Sequence, residues 1–425
     1  MNSQGSDFAD EIVQDELPAH TESPRDAFLP WHRPKKEFIR RFQWNALTAR
    51  MIKRHWKQEL KLGKSDWSLD DDENADAGFK LPANFAQEHC LRCLVIPGED
   101  LLDLRALWRD IQDLNCHICY LGFNEGHGSD QKGTRIHVSN NAVTSLPRVL
   151  RHSRVLHDRF EAVANENSIA LRYLKEYGPY HVVNLDLCGS MFPNTVKSTQ
   201  EYYDALLQLL TYQFEKQKTE WLLFITTMIE PAVVDANSLQ ALCGPTCDNF
   251  NKYQDFADVI NRIIPEKTFP NTGAPLDLAA LTEAQMVKLF GIAFGKWLLA
   301  LCQKAKPQWT VAMRRSYCHT INDNKGAVML SLAFELRPNI APPVDTTGMT
   351  KLQLPAKEYP NEQVCAVKLA ESVAKICDVD SELAANKKLK CELRDAQAEL
   401  LESAGYDQAK YKKWVDDGEI VLENQ

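Results

Sequence analysis

The sequence predicts a mixed α/β protein: a three-layer αβα sheet, mostly parallel, ending in an antiparallel hairpin. Two observations predict it. From residue 90 onward, short and nearly continuous apolar runs alternate with longer helical stretches. After them, two strand-like segments are joined by a turn-rich link. A helical insertion and a helical C-terminal extension take up further length in this 425-residue chain.

The apolar runs are Leu94-Val95-Ile96, Ile118-Cys119-Tyr120-Leu121, Val182-Val183-Asn184-Leu185 and Trp221-Leu222-Leu223-Phe224-Ile225. A strand covered on both faces has no polar side, so it reads as a continuous apolar run. A third strand is expected near Val155-Leu156-His157-Asp158. Helices are expected over 101–114, 144–150, 169–177 and 202–216. The hairpin arms are 308–319 and 327–337, although their alternation is imperfect. The insertion covers about 230–306, with a loop at Cys243-Gly244-Pro245-Thr246-Cys247 and an apolar helix over 286–301. After the link Ala341-Pro342-Pro343 come helices over 364–377 and 382–403. The second carries Leu383, Leu389, Leu393 and Leu400 among charges, which suits packing or self-association. The resulting division is 1–30, 31–89, 90–340 and 341–425.

Charge is uneven along the chain. The net −9 excludes a generally basic nucleic-acid coat and leaves room for a local patch. Residues 1–30 are acidic and expected to be a disordered leader. The sign then reverses. Arg33, Lys35, Lys36, Arg40, Arg41, Arg50, Lys53, Arg54, Lys57, Lys61 and Lys64 are interleaved with Trp31, Phe38, Phe42, Trp44 and Trp56. At 100° per residue, Phe38, Phe42, Ile52 and Trp56 share one helix side, with Arg40, Arg50, Arg54, Lys57 and Lys61 roughly opposite. That face is expected either to be solvated or to contact nucleic acid through residues 31–64. An acidic loop at residues 70–76 follows. No uncharged apolar run reaches the length of about 18 that suggests a membrane span, and the N-terminus has no apolar signal region. The twelve cysteines suit a reducing compartment, so a cytoplasmic protein is expected.

In open parallel sheets, ligands bind beyond the carboxyl ends of the strands. The first run leads into Gly98-Glu99-Asp100, and the second into Asn124-Glu125-Gly126. The third ends near Asp158, and the fourth continues Asp186-Leu187-Cys188-Gly189-Ser190. Five parallel strands and a hairpin with these acids resemble the class I S-adenosylmethionine-dependent methyltransferases over roughly residues 90–340. The resemblance implies a Rossmann-like sheet and S-adenosylmethionine as cofactor. It implies Gly98 and Glu99 in the cofactor loop, Glu125 as the ribose-binding acid and Asp158 at the adenine edge. Residues 186–190 are similar to the Asp-Pro-(Phe/Tyr)-Gly-Ser-Pro motif of tRNA guanine-N2 methyltransferases. That similarity implies that Asp186 orients a target amine toward the methyl group. Leu187 stands in place of proline, Cys188 in place of an aromatic and Met191 in place of the second proline. Cys188, at the same site, is a second catalytic candidate, as a nucleophile. A nicotinamide cofactor would also suit Glu125, but the first loop lacks G-x-G-x-x-G.

Cys90, Cys93, Cys116 and Cys119 form two C-x2-C pairs with a 22-residue spacer, a spacing that suits structural zinc. Both pairs abut apolar strands, so core thiols are expected in preference to a metal site. The leading expectation is a methyltransferase acting on a nucleic-acid base amine. The alternative is a catalytically silent Rossmann-like module. It would bind nucleotide, nucleic acid or a protein partner in a multi-subunit bacterial assembly.

Overall fold

The computed structural model describes residues 25–59, 89–125, 130–187, 189–193, 196–230, 233–264, 281–321, 327–339, 349 and 361–418. It is a mixed α/β architecture with a central sheet and flanking helices. The strands are β1 (His89–Val95), β2 (Cys116–Phe123), β3 (Arg154–Leu156), β4 (Val182–Asp186), β5 (Trp221–Ile229), β6 (Trp309–Met313), β7 (Tyr317–Thr320), β8 (Val328–Pro338) and β9 (Cys377–Asp378). Their order is β3-β2-β1-β4-β5-β8-β7-β9, with β6 also paired to β8. The first five are parallel, and β8 runs antiparallel to β5.

The helices are α1 (Pro34–Ile39), α2 (Ala46–Glu59), α3 (Leu102–Ile111), α4 (Asp130–Thr144), α5 (Ile169–Tyr177), α6 (Val196–Lys216), α7 (Ala236–Lys252), α8 (Gln254–Ile263), α9 (Glu283–Lys304), α10 (Glu362–Ala374), α11 (Val379–Ala385), α12 (Lys387–Glu402) and α13 (Gln408–Asp416). Alternate side chains along each strand feed two cores. Leu94, Leu121, Val183, Leu185 and Leu223 face α5, α6 and α9. Leu91, Cys93, Val95, Val182 and Phe224 face α1, α2, α3 and α12. Helix α9 is apolar and long enough to cross a membrane by length and composition, and 72% of its apolar window is buried inside the protein.

Several local expectations change. The first hairpin arm is split into β6 and β7, both paired to β8. Met313 opposes Phe334 while Tyr317 opposes Ser331, so three residues face two and the arm bulges. The extra residue moves Met313 to one core and Tyr317 to the other, which explains the imperfect alternation. The helix expected over 144–150 does not form: α4 ends at Thr144 and residues 145–150 are not helical. Arg148 takes φ 64° and Val149 bridges to Ile118. The expected 243–247 loop lies inside α7, which runs through Pro245. The 382–403 helix is interrupted at Asn386, whose side chain accepts from Leu389 N at 3.0 Å and so starts α12. Leu383, Leu393 and Leu400 of this extension are buried within the chain.

The largest difference concerns the basic-aromatic segment. Helix α1 continues through a π-helical turn, Arg40–Asn45, into α2. A π turn takes an extra residue, so everything beyond it is rotated relative to a 100° count. Arg33, Lys35, Lys36, Arg40 and Arg50 are all buried. The segment lies between the sheet and the C-terminal helices, so Arg40 and Arg50 do not form the expected solvated face. Lys35 pairs with Asp380 at 3.0 Å, and Arg54 pairs with Glu335 at 2.8 Å. The side chains of Trp56 and Lys57, and all of Lys61 and Lys64, lie outside the described residues, as do the leader up to residue 24 and the acidic loop at 70–76. Two residues of 25–30 are anchored: Arg25 pairs with Asp100 at 2.7 Å, and Phe28 is buried against Tyr406, Tyr411 and Trp414.

Gln43 shows how closely this segment is fitted. It is fully buried, donates to the carbonyls of Arg315 and Ser331 at 2.9 Å each, and accepts from Ser331 Oγ at 2.6 Å. Replacing it with leucine removes this partner from both carbonyls and leaves the Ser331 hydroxyl only Thr226 Oγ1, at 3.0 Å. Gln43→Leu is therefore expected to cost about 1–3 kcal/mol in urea unfolding. A change near zero would mean that the segment is not held at this point.

Candidate functional site

The chain moves outward from β1 to β2 and β3, then returns to β4 on the other side of β1. The carboxyl ends of β1 and β4 therefore flank the switch point of the sheet, the usual ligand position in such sheets. Asp186 ends β4 there. Beside it the β1 strand runs into Ile96, Pro97 and Gly98. Asn124, just past β2, donates its amide to Pro97 O at 2.7 Å and ties the two strand ends together.

Asp186 does not stand open. Lys36 Nζ lies 2.6 Å from each of its carboxylate oxygens, and both side chains are largely buried. Lys36 also sits 4.8 Å from the centre of the Trp44 ring, a cation–π contact. One helical turn on, Arg40 Nε pairs with Asp103 at 2.7 Å, in the first turn of α3. Arg40 Nη1 reaches Gln397 of α12 at 3.0 Å. Two acids and two cations thus close the strand ends beneath α1. Burial pushes the Asp186 carboxyl above its ordinary pKa, with Lys36 opposing the shift and Asp103 adding to it.

The other predicted positions are spread around this point. Gly98 is exposed, and a side chain there would meet open space. Glu99 pairs with Arg135 at 3.2 Å. Its neighbour Asp100 is buried and bound by Arg25, by Arg135 at 2.9 Å and by Tyr406 at 2.8 Å. Glu125 is exposed, 3.7 Å from Arg159. Asp158 lies in the turn past β3 and accepts from Arg159 N at 2.8 Å. Cys188 lies outside the described residues. Lys36 belongs to the basic segment 31–64 and Arg40 to its expected basic face, and neither is expected at the strand ends from sequence. Their i, i+4 spacing, which puts both cations on one side of a helix, was the available signal.

The space left beneath the N-terminal helix is small. A cavity of about 20 Å³ is lined by Trp44, Asn45, Thr48, Asp103 and Asn184, among others. That suits one water molecule, whereas ligand pockets measure about 300–1,000 Å³. A larger cavity of about 470 Å³, lined by Leu299, Gln303, Trp309 and Asn361, contains none of the predicted site residues. For S-adenosylmethionine, Gly98 and Glu125 are accessible, but Glu99 and Asp186 are already engaged. The described residues do not assemble a cradle for it.

The four strand cysteines do not form a zinc site. Cys90 and Cys119 face one core, and Cys93 and Cys116 face the other. Alternation along the strands sends the thiols to opposite sides of the sheet. Among the described residues, no group of three metal-ligating side chains comes together.

These features define a mixed α/β protein whose strand-end acid is clasped by its own N-terminal helix. A family model described as PP_RS20740-like matches residues 25–416, and the chain belongs to that family. No curated protein matches it.

Two measurements probe this arrangement. Lys36→Met leaves a buried carboxylate without its partner and is expected to cost about 3–5 kcal/mol. Adding Asp186→Leu should recover much of that loss, and a coupling energy near zero in the double-mutant cycle would show that the pair contributes nothing to stability. The second measurement concerns pH. Burial pushes His32 and His319 down to about 3, so both stay neutral in the fold. In the unfolded chain each takes up a proton below about pH 6.5. Stability is therefore expected to fall as pH drops through that value, by about 2 kcal/mol per histidine at about pH 5. His319→Gln should reduce the slope of unfolding free energy against pH, and an unchanged slope would remove His319 from the effect.

Proposed function

We propose that this chain is a catalytically silent, methyltransferase-like module with a Rossmann-like sheet, acting as a binding component. The observation that carries the reading is the Lys36 ammonium on both oxygens of Asp186. A carboxylate neutralised in this way cannot also accept hydrogen bonds from a substrate amine along the same directions. The strand order supports the scaffold half of the proposal: five parallel strands in the order 3-2-1-4-5, followed by an antiparallel strand.

The second reading is an S-adenosylmethionine-dependent amine methyltransferase acting on a nucleic-acid base. The placement of Gly98, Glu125 and Asp186 at the carboxyl ends of adjacent parallel strands favours it. Calorimetry with S-adenosylmethionine on the full chain separates the two. The silent module gives no binding heat at millimolar cofactor. Saturable binding would favour the enzyme, and Asp186→Ala should then abolish methyl transfer to nucleic acid.

A further inference from the structure

A second polar cluster lies toward the amino ends of the strands, on the opposite face of the sheet from Asp186. Cys119 in β2 pairs in register with Arg92 of β1. Cys93 pairs with Val182, so Arg92 is level with His181. Asp186 is therefore five residues farther along, roughly 16 Å at about 3.3 Å per residue.

Cys119 is only 5% exposed and packs with Leu94 and Leu121. Its Sγ lies 3.4 Å from Nε2 of His152, an exposed residue in the turn before β3. Tyr177 holds that turn by donating its hydroxyl to the His152 carbonyl. Cys90 of β1 is packed against the same core as Cys119, two residues before the register partner of Cys119. The Tyr177 ring lies 5.9 Å from the His152 ring, centre to centre. Burial pushes other core thiols, such as Cys93 and Cys302, well up. Cys119 goes the other way, held down by its coupling to the Cys90 thiol, which is pushed up in turn, and by His152 beside it.

We propose that Cys119 is a peroxide-reactive nucleophile, with His152 holding its thiolate and Cys90 serving as the resolving thiol. The low exposure of the sulfur selects a small oxidant over a bulky disulfide. The Cys119 thiolate attacks one peroxide oxygen and the O–O bond breaks. The departing hydroxide takes back the thiol proton that Cys119 gave up to His152 and leaves as water. Cys119, oxidised by two electrons, becomes a sulfenic acid. The Cys90 sulfur then attacks the sulfenic sulfur. Its proton leaves with the hydroxyl as a second water, and a Cys90–Cys119 disulfide forms as the amino end of β1 shifts along β2, because the register sets the two residues two positions apart. The two electrons lost by the thiols reduce the peroxide. The proposal does not depend on what the strand-end site does.

The test treats the folded full chain with hydrogen peroxide, then unfolds, alkylates and maps the thiols by mass spectrometry. Cys90 and Cys119 should be lost together as one disulfide, faster than Cys302 and Cys243, and be restored by dithiothreitol. Cys90→Ser should trap Cys119 as a sulfenic acid. His152→Ala should slow Cys119 oxidation about tenfold at neutral pH and move its pH profile upward. Thermal unfolding of each variant establishes that it is folded. Oxidation of Cys119 no faster than that of Cys302 in the unaltered protein overturns the proposal, whatever the variants do. An unchanged pH profile in folded His152→Ala removes His152 from it.

Discussion

The arrangement of this protein depends on positive charge carried inward. Lys36 and Arg40 project from a helix that is covered on both sides, and buried cations persist only with partners. Asp186 and Asp103 supply those partners from the end of β4 and the start of α3. This pairing commits the N-terminal segment to the sheet. Arg40 also reaches Gln397, and Lys35 pairs with Asp380, so the C-terminal helices close over the same segment. Residues that look like two separate extensions in the sequence become one layer against a shared face.

The same charges bear on function. In the fold that the sequence resembles, the acid ending the fourth strand is expected to meet substrate. Here its two oxygens are spent on an internal ammonium, and the nearby cavity is the size of a water molecule. The sulfur proposed to react lies elsewhere, toward the amino ends of the strands, where a turn brings His152 to Cys119. The ordinary ligand position and the proposed reactive position are thus separated by most of a strand length and by the sheet itself.

Much of the sheet could be read from the residues. The runs at 94–96, 118–121, 182–185 and 221–225 are apolar on both sides because both faces of each strand are covered, and continuous apolarity needs no partner to be recognised. The split of the last arm could not be read. A bulge changes which face a residue takes without changing its identity, so alternation around Met313 and Tyr317 only appeared irregular. The four cysteines had convincing metal spacing, yet strand alternation divides them between two cores. Spacing records separation along the chain, and only the pleat records the side.

The net −9 and its uneven distribution were plain in the sequence. So were the acid at the end of the fourth strand and the cations four residues apart at Lys36 and Arg40. The sequence by itself determined that strands and helices alternate and that the segment around residues 31–64 is strongly basic. The tertiary structure decided where that charge points. A π turn rotated the helix and the C-terminal helices covered it, so Arg40 and Arg50 became buried. The physical reason is that burial belongs to all the elements packed around a side chain, and no single segment contains that information.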